Sequence, residues 1–230
     1  MMVKPAATRR LRILAIGVRP EVVAAIMRRG HTIDRHALDL GPAAALAGQA
    51  WTPPVVAWPG ESASYDRVFL WDELARVVDD EAAIAEAARV LRPGGVLTLR
   101  VPGAGMLAWL DPYNAYRYLR DATRRGTDPV ETHGLGWQRH YRQADIDDLL
   151  RPHFSPPAMR RRGVGLAAAF RLALAILFRW LVQREARYQR GQPLARRLET
   201  LDDLIPGGPL GTNLIVTARR REDDRAHKAQ

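Results

Sequence analysis

Residues 65–102 read YDRVFLWDELARVVDDEAAIAEAARVLRPGGVLTLRVP and spell, in order, a strand, a helix, a turn and a second strand. Residues 67–71 form a short apolar run of the kind that fills a buried strand. Asp79 then offers a side-chain oxygen to the free amides of a helix start, and Asp80 and Glu81 are favoured by the helix dipole. Ile84, Ala87, Ala88 and Leu91 fall on one helical face. Pro93, Gly94 and Gly95 end the helix with the permissive backbone of a tight turn, after which residues 96–101 (VLTLRV) predict a strand. Two strands joined by a helix are normally parallel, with a right-handed crossover.

Upstream, residues 11–16 (LRILAI) predict a first strand, and Gly17 opens a loop. Pro20 suits a first helical position and leads into a helix over 21–29 that Gly30 stops. Residues 32–38 predict a second strand ending at Asp39, which makes the amino-terminal part a strand, helix and strand unit like a nucleotide-binding half. The stretch 41–54 is rich in Ala, Gly and Pro, and 53–58 (PPVVAW) predicts a third strand.

The order of a YD strand, an acidic loop, a DDE helix, RVLRPGG and a strand ending in VP resembles the second half of the class I S-adenosylmethionine-dependent methyltransferase domain, methyltransferase type 11-like. The resemblance implies an α/β, Rossmann-like sheet of seven strands with the last one antiparallel. It also implies S-adenosylmethionine as cofactor and methyl transfer as activity. In that family the loop after the first strand carries an acidic residue followed by three spaced glycines. This chain keeps Gly17 but has Ala15 at the acidic position and Arg19 and Glu21 near the later glycines, in the run GVRPE. The degenerate loop sets a non-catalytic, methyltransferase-like binding or scaffold protein beside the enzyme reading. By the same resemblance the cofactor-side residues are Gly17, Asp39, Leu70, Trp71 and Asp72. Asp39 could accept both hydroxyls of a ribose or cap a turn before Gly41, and Asp72 or Glu73 could instead cap a short helical turn.

After Pro102 the chain adds residues 103–145, a place for substrate elements in the family. LDPYNAYRYLRD (110–121) puts Tyr113 and Tyr116, Arg117 and Arg120 at helical spacings, and with Trp137 these aromatics are the candidate substrate contacts. His140 and Tyr141 precede a helix starting at 143–147, with Ile146, Leu149 and Leu150 facing inward. An ordinary histidine pKa suits proton removal, so His140 and Tyr141 are the candidate catalytic pair; a packing role for His140 is the alternative. No histidine and carboxylate spacing implies a metal.

Residues 165–182 (GLAAAFRLALAILFRWLV) form the most apolar segment. A membrane span needs about 20 apolar residues, and a central arginine costs roughly 2.5–3.5 kcal/mol, so Arg171 and Arg179 argue against crossing. Ala168, Arg171, Ala175 and Arg179 share a narrow stripe, which makes the helix one-sidedly basic. It could pack on the sheet, make a homodimer contact, or lie on an anionic membrane surface with the arginines of 160–190 reaching headgroups. A last helix is predicted over 194–205 beyond Pro193, with 158–162 and 213–218 as the terminal strands.

The domain thus spans 11–218, with a lid at 103–145 and an accessory helix at 165–190, between a flexible start at 1–10 and a charged tail at 219–230. The 35 Lys and Arg against 25 Asp and Glu give a net charge of +10, which favours anionic partners unless it reflects an arginine-rich composition at large. Nucleic-acid binding would rest on that charge alone, without aromatic strand motifs. No cysteine is present, so disulfides and thiolate chemistry are excluded. The apolar run 13–18 is too short for an export signal, and the expected location is cytoplasmic, peripheral at the inner membrane face if the helix lies on lipid.

Overall fold

A computed structural model describes residues 10–36, 58–77, 79–110 and 139–222. Their centre is a six-stranded sheet. Strands β1 (Arg12–Ile16), β2 (Thr32–His36), β3 (Tyr65–Trp71) and β4 (Leu91–Pro102) are parallel, and β5 (Ala158–Arg162) and β6 (Asn213–Arg219) complete the order β2-β1-β3-β4-β6-β5. Strand β6 runs antiparallel to both neighbours, pairing Leu99 with Val216 on one side and Arg160 with Ile215 on the other. The sheet is Rossmann-like, with six strands among the described residues where seven were expected. The seventh was predicted at 53–58, where residues 53–57 lie outside the described residues; Trp58 belongs to no strand.

Alternation along the strands divides the core between the two faces of the sheet. Leu14, Ile16, Val68, Leu70, Leu97 and Leu99 turn to one face, where α2 (Asp80–Val90) and α3 (Gln143–Leu150) cover them with Ile84, Ala87, Ile146 and Leu150. Ala15, Phe69 and Trp71 turn to the other, against α1 (Pro20–Met27) and its Val23. The opening stretch folds largely as its sequence predicts: Asp79 accepts from the Ala82 amide at 2.8 Å, but Leu91, expected on the helical face, already pairs with Tyr65 as the first residue of β4, and Gly94 takes a φ of 74° within that strand where its register with β3 shifts.

Between β5 and β6 the chain makes a helical hairpin. Helix α4 (Leu166–Leu174) continues as a π-helix over Ala175–Leu181, turns at Gln183, and returns as α5 (Glu185–Asp202). The two arms approach so closely that a Cβ on Gly191 would lie 2.4 Å from a Leu174 methyl. Helix α5 runs through Pro193, which was expected to mark its start. A proline inside a helix removes one backbone bond and usually bends it, so packing against α4 holds this one together. The carboxylate of Asp202 adds to that packing by accepting from the Val164 and Gly165 amides, 2.9 and 3.1 Å away at the start of α4.

The hairpin lies on the face of the sheet opposite α2 and α3, reached there by Arg100, which alternates with the core residues Leu99 and Val101. The stripe anticipated at Ala168, Arg171 and Ala175 forms, on the inward side of the helix. Ala168 and Arg171 turn inward and Ala175 is buried, because Glu199 on α5 draws the Arg171 guanidinium to 2.5 Å.

Candidate active-site cleft

A cleft of about 480 Å³ opens where β1, β3 and β4 end, roofed by the helical hairpin. Ligands of open α/β sheets bind beyond the carboxyl ends of the strands, so this is the expected place for a site. Gly17, Trp71 and Asp72 line its floor. Leu70 is fully buried in the core face of β3 and lies outside the cleft wall. Asp39, Tyr113, Tyr116 and Trp137 lie outside the described residues.

Gly17 takes a φ of 68°, and a Cβ there would sit 2.2 Å from the Trp71 carbonyl and 2.6 Å from Glu73 Cγ. The close approach that this glycine permits is therefore made by the chain itself. Arg19 crosses from the same loop to α5, donating to Thr200 and ion-pairing with Asp203 at 3.3 Å.

The cleft wall is ionic. Arg100, almost wholly buried, pairs with Asp72, with Glu199 at 2.8 Å and with Asp203 at 3.0 Å. Asn213 donates to the same Asp203 oxygen at 3.2 Å. Burial alone would lower the Arg100 pKa, but the carboxylates of Asp72, Asp203 and Glu199 outweigh it and hold the guanidinium charged. Burial pushes Glu199 up as well, yet Arg100 and Arg171 overcome it and leave the group below the usual carboxylate range. Asp72 goes the other way. Desolvation raises its pKa, Arg100 opposes this, and the charges of Glu199 and Asp203 add to the rise.

Asp72 sits in the left-handed region with φ of 58°, a conformation that aspartate tolerates better than most residues. Its Oδ1 is buried with no hydrogen-bond partner, and so is Nε2 of Gln192, a residue of the same cleft. Buried polar atoms are normally satisfied, so an unpaired acceptor and an unpaired donor on one cleft describe a site shaped for a polar ligand.

His140 lines the cleft because its segment is laid along the end of β4. Tyr141 N donates to the Pro102 carbonyl at 2.9 Å, and Ala104 N donates to the Tyr141 carbonyl at 2.8 Å. Burial lowers the His140 pKa to about 4, so the imidazole is neutral at pH 7. The Tyr141 ring turns into the core. Its hydroxyl lies 3.0 Å from Asp80 Oδ2 and 3.2 Å from the Leu74 carbonyl, and burial, with Asp80 beside it, pushes the phenol pKa up. The structure thus brings Gly17, Trp71, Asp72 and His140 to one cleft and sets Leu70 and Tyr141 behind it.

Sequence reasoning passed over the ionic wall of Arg100, Glu199 and Asp203. The signal was a single charge inside VLTLRV, a run otherwise suited to a buried strand.

Among solved structures the chain is similar to a protein assigned provisionally as a sarcosine dimethylglycine methyltransferase from Galdieria sulphuraria, with 18% identity and a TM-score of 0.50 over 93% of this chain and 80% of that one. It is similar to a phosphoethanolamine N-methyltransferase from Haemonchus contortus, solved with phosphomonomethylethanolamine and S-adenosylhomocysteine, at 14% identity and a TM-score of 0.50, covering 95% of this chain and half of that one. A SAM-dependent methyltransferase from Thermotoga maritima matches at 14% identity and a TM-score of 0.47, over 94% and 84% of the two chains. The fold is that of the class I, S-adenosylmethionine-dependent methyltransferases. No protein-family model matches the sequence, and no curated protein matches it.

Proposed function

We propose that this protein binds S-adenosylmethionine in the cleft at the ends of β1, β3 and β4 and transfers its methyl group to a small, apolar or lipid-linked acceptor. The observation that carries the reading is a pair of buried, unsatisfied polar atoms, Asp72 Oδ1 and Gln192 Nε2, on two residues that line one cleft. The amino-acid end of the cofactor is zwitterionic. Asp72 would accept from its ammonium and Gln192 would donate to its carboxylate, while Gly17 and Trp71 would border the rest. When bound, the cofactor supplies an electrophilic methyl group on sulfur.

The chain's own residues would hold the acceptor in line with that group, and positioning is the main catalytic device available here. Leu107, Ala108 and Ala167 give one side of the cleft an apolar lining suited to the acceptor. A neutral His140 can take a hydrogen bond from the acceptor without adding positive charge beside a sulfonium.

A second reading, a non-catalytic relative of the fold, is favoured by the Gly17 loop, where Glu73 packs on the glycine and Arg19 ties the loop to Thr200 and Asp203. Titration calorimetry with S-adenosylhomocysteine separates the two. The enzyme reading expects binding that weakens about tenfold in Asp72→Asn and in Gln192→Leu, each losing one charge-assisted bond. Absence of heat at millimolar ligand, in both the wild type and an Arg19→Ala variant, would refute it and leave the non-catalytic reading standing.

A further inference from the structure

A surface helix ordinarily turns its apolar stripe inward and its charges to water. The first arm of the hairpin is apolar on its outer side as well as on its inner one, where Ala167, Leu172 and Ala175 are buried. Along α4 and the π-helix the outward positions are Leu166, Ala169, Ala173, Ile176, Leu177 and Leu181, three or four apart save the adjacent Ile176 and Leu177, and all apolar. Leu166, Leu177 and Leu181 are 51%, 48% and 73% exposed. The arginine of this helix whose side chain is described, Arg171, faces the cleft. Beside the start of α4, the turn containing the exposed Met106 and Trp109 extends the apolar surface, with Leu110 packed 3.2 Å from the point where a Gly165 Cβ would be.

The charges of the returning arm are sorted in the same sense. Glu199, Asp202 and Asp203 turn inward to Arg100, to Arg171 and to the amides that open α4. Arg184, Arg187, Arg190, Arg196 and Arg197 are exposed, along with Leu194 and Leu201. Among the described side chains of 166–203, every exposed charge is therefore an arginine. No helix of the described residues is long and apolar enough to cross a membrane. An apolar stripe edged with cations and lacking the length to span has the properties of a helix that lies in a bilayer interface.

We infer that the outer face of the hairpin, Leu166 to Leu181 with Arg184, Arg187 and Arg190, docks on an anionic lipid bilayer. The leucines enter the boundary between headgroups and acyl chains, and the arginines meet lipid phosphates. This surface is separate from the cleft and does not depend on cofactor binding. A second copy of the chain, the other occupant an apolar face could take, offers those arginines no counter-charge from its own hairpin, whose exposed charges among the described side chains are all arginines.

The test is flotation of the full chain with vesicles of phosphatidylglycerol mixed with phosphatidylcholine, against phosphatidylcholine alone. Binding is expected only to the anionic vesicles, weakening with salt and falling about fivefold for each arginine neutralised in Arg187→Gln and Arg190→Gln. Leu181→Glu and Leu177→Glu, at exposed positions that leave the fold intact by circular dichroism, are expected to abolish it at physiological salt. Equal binding to neutral vesicles, or no binding to either, would overturn the inference. So would a dimer by light scattering that the same leucine variants dissociate while vesicle binding is absent.

Discussion

Arg100→Met removes the cation at the centre of the cleft wall while keeping most of its volume. Arg100 is 2% exposed and meets Asp72, Glu199 and Asp203. Without it three carboxylates share a partly desolvated wall, with Arg171 and Arg19 left at its edges. Breaking a buried ion pair by removing one partner costs about 3–5 kcal/mol. With a urea dependence of about 2 kcal/mol per molar, that loss moves the unfolding midpoint down by about 1.5–2.5 M. The pH dependence distinguishes charge from packing. In the variant the orphaned carboxylates take up protons more readily folded than unfolded, so its stability relative to wild type rises as pH falls. The gap between the two proteins is expected to be widest at pH 7 and to narrow markedly by pH 4. A loss under about 1 kcal/mol at pH 7, or a gap of the same size at both pH values, would refute the account of Arg100 as the counter-ion of that wall.

The buried His140 gives a second dependence, of opposite origin. Its folded pKa of about 4 lies below the ordinary 6.5, so between those values the unfolded chain binds the extra proton. Stability is expected to be full above about pH 6.5 and to decline by about 3 kcal/mol as pH falls to 4, a decline that His140→Gln removes in urea titrations. Gly17→Ala places a Cβ 2.2 Å from the Trp71 carbonyl in a backbone with φ of 68°. A loss of about 1–3 kcal/mol, seen as a melting temperature lower by about 5 °C, is expected, and an unchanged melt would show that the loop can reshape.

Much of the fold was legible because local chemistry determined it. The Asp79 cap, the left-handed backbone at Gly94 and the apolar runs of β3 and β4 each follow from a few neighbouring residues, and helix α3 buries Ile146 and Leu150 as its periodicity requires. The hairpin was not legible in the same way. Periodicity finds the two faces of the segment 165–182, but the choice of face depends on Glu199, which lies 28 residues beyond Arg171. The reading of Pro193 as a boundary failed for a similar reason, since contacts between Gly191 and Leu174 and between Asp202 and the start of α4 override local propensity.

The site was legible only at its floor. Gly17, Trp71 and Asp72 follow from their places at strand ends, and His140 from its place before α3. Arg100 and the acids of α5 meet only after the chain has folded back across the sheet, and no short window of sequence contains both. Tyr141 shows the reverse. Its position beside His140 marks it as reactive on paper, while strand-like alternation sends neighbouring side chains to opposite sides and puts its hydroxyl against Asp80 and Leu74.

The antiparallel β6 is the last of the described strands to be synthesised and yet sits inside the sheet, between β4 and β5. A nascent chain that has not reached residue 213 therefore holds two unsatisfied ladders at once, the outer edge of β4 and the whole of β5, whose named strand partner is β6. The helical hairpin emerges during that interval with its leucines uncovered. Exposed edges and apolar surface are what chaperones and lipid surfaces capture, so the order of synthesis leaves a window in which the unfinished domain is most prone to mispairing.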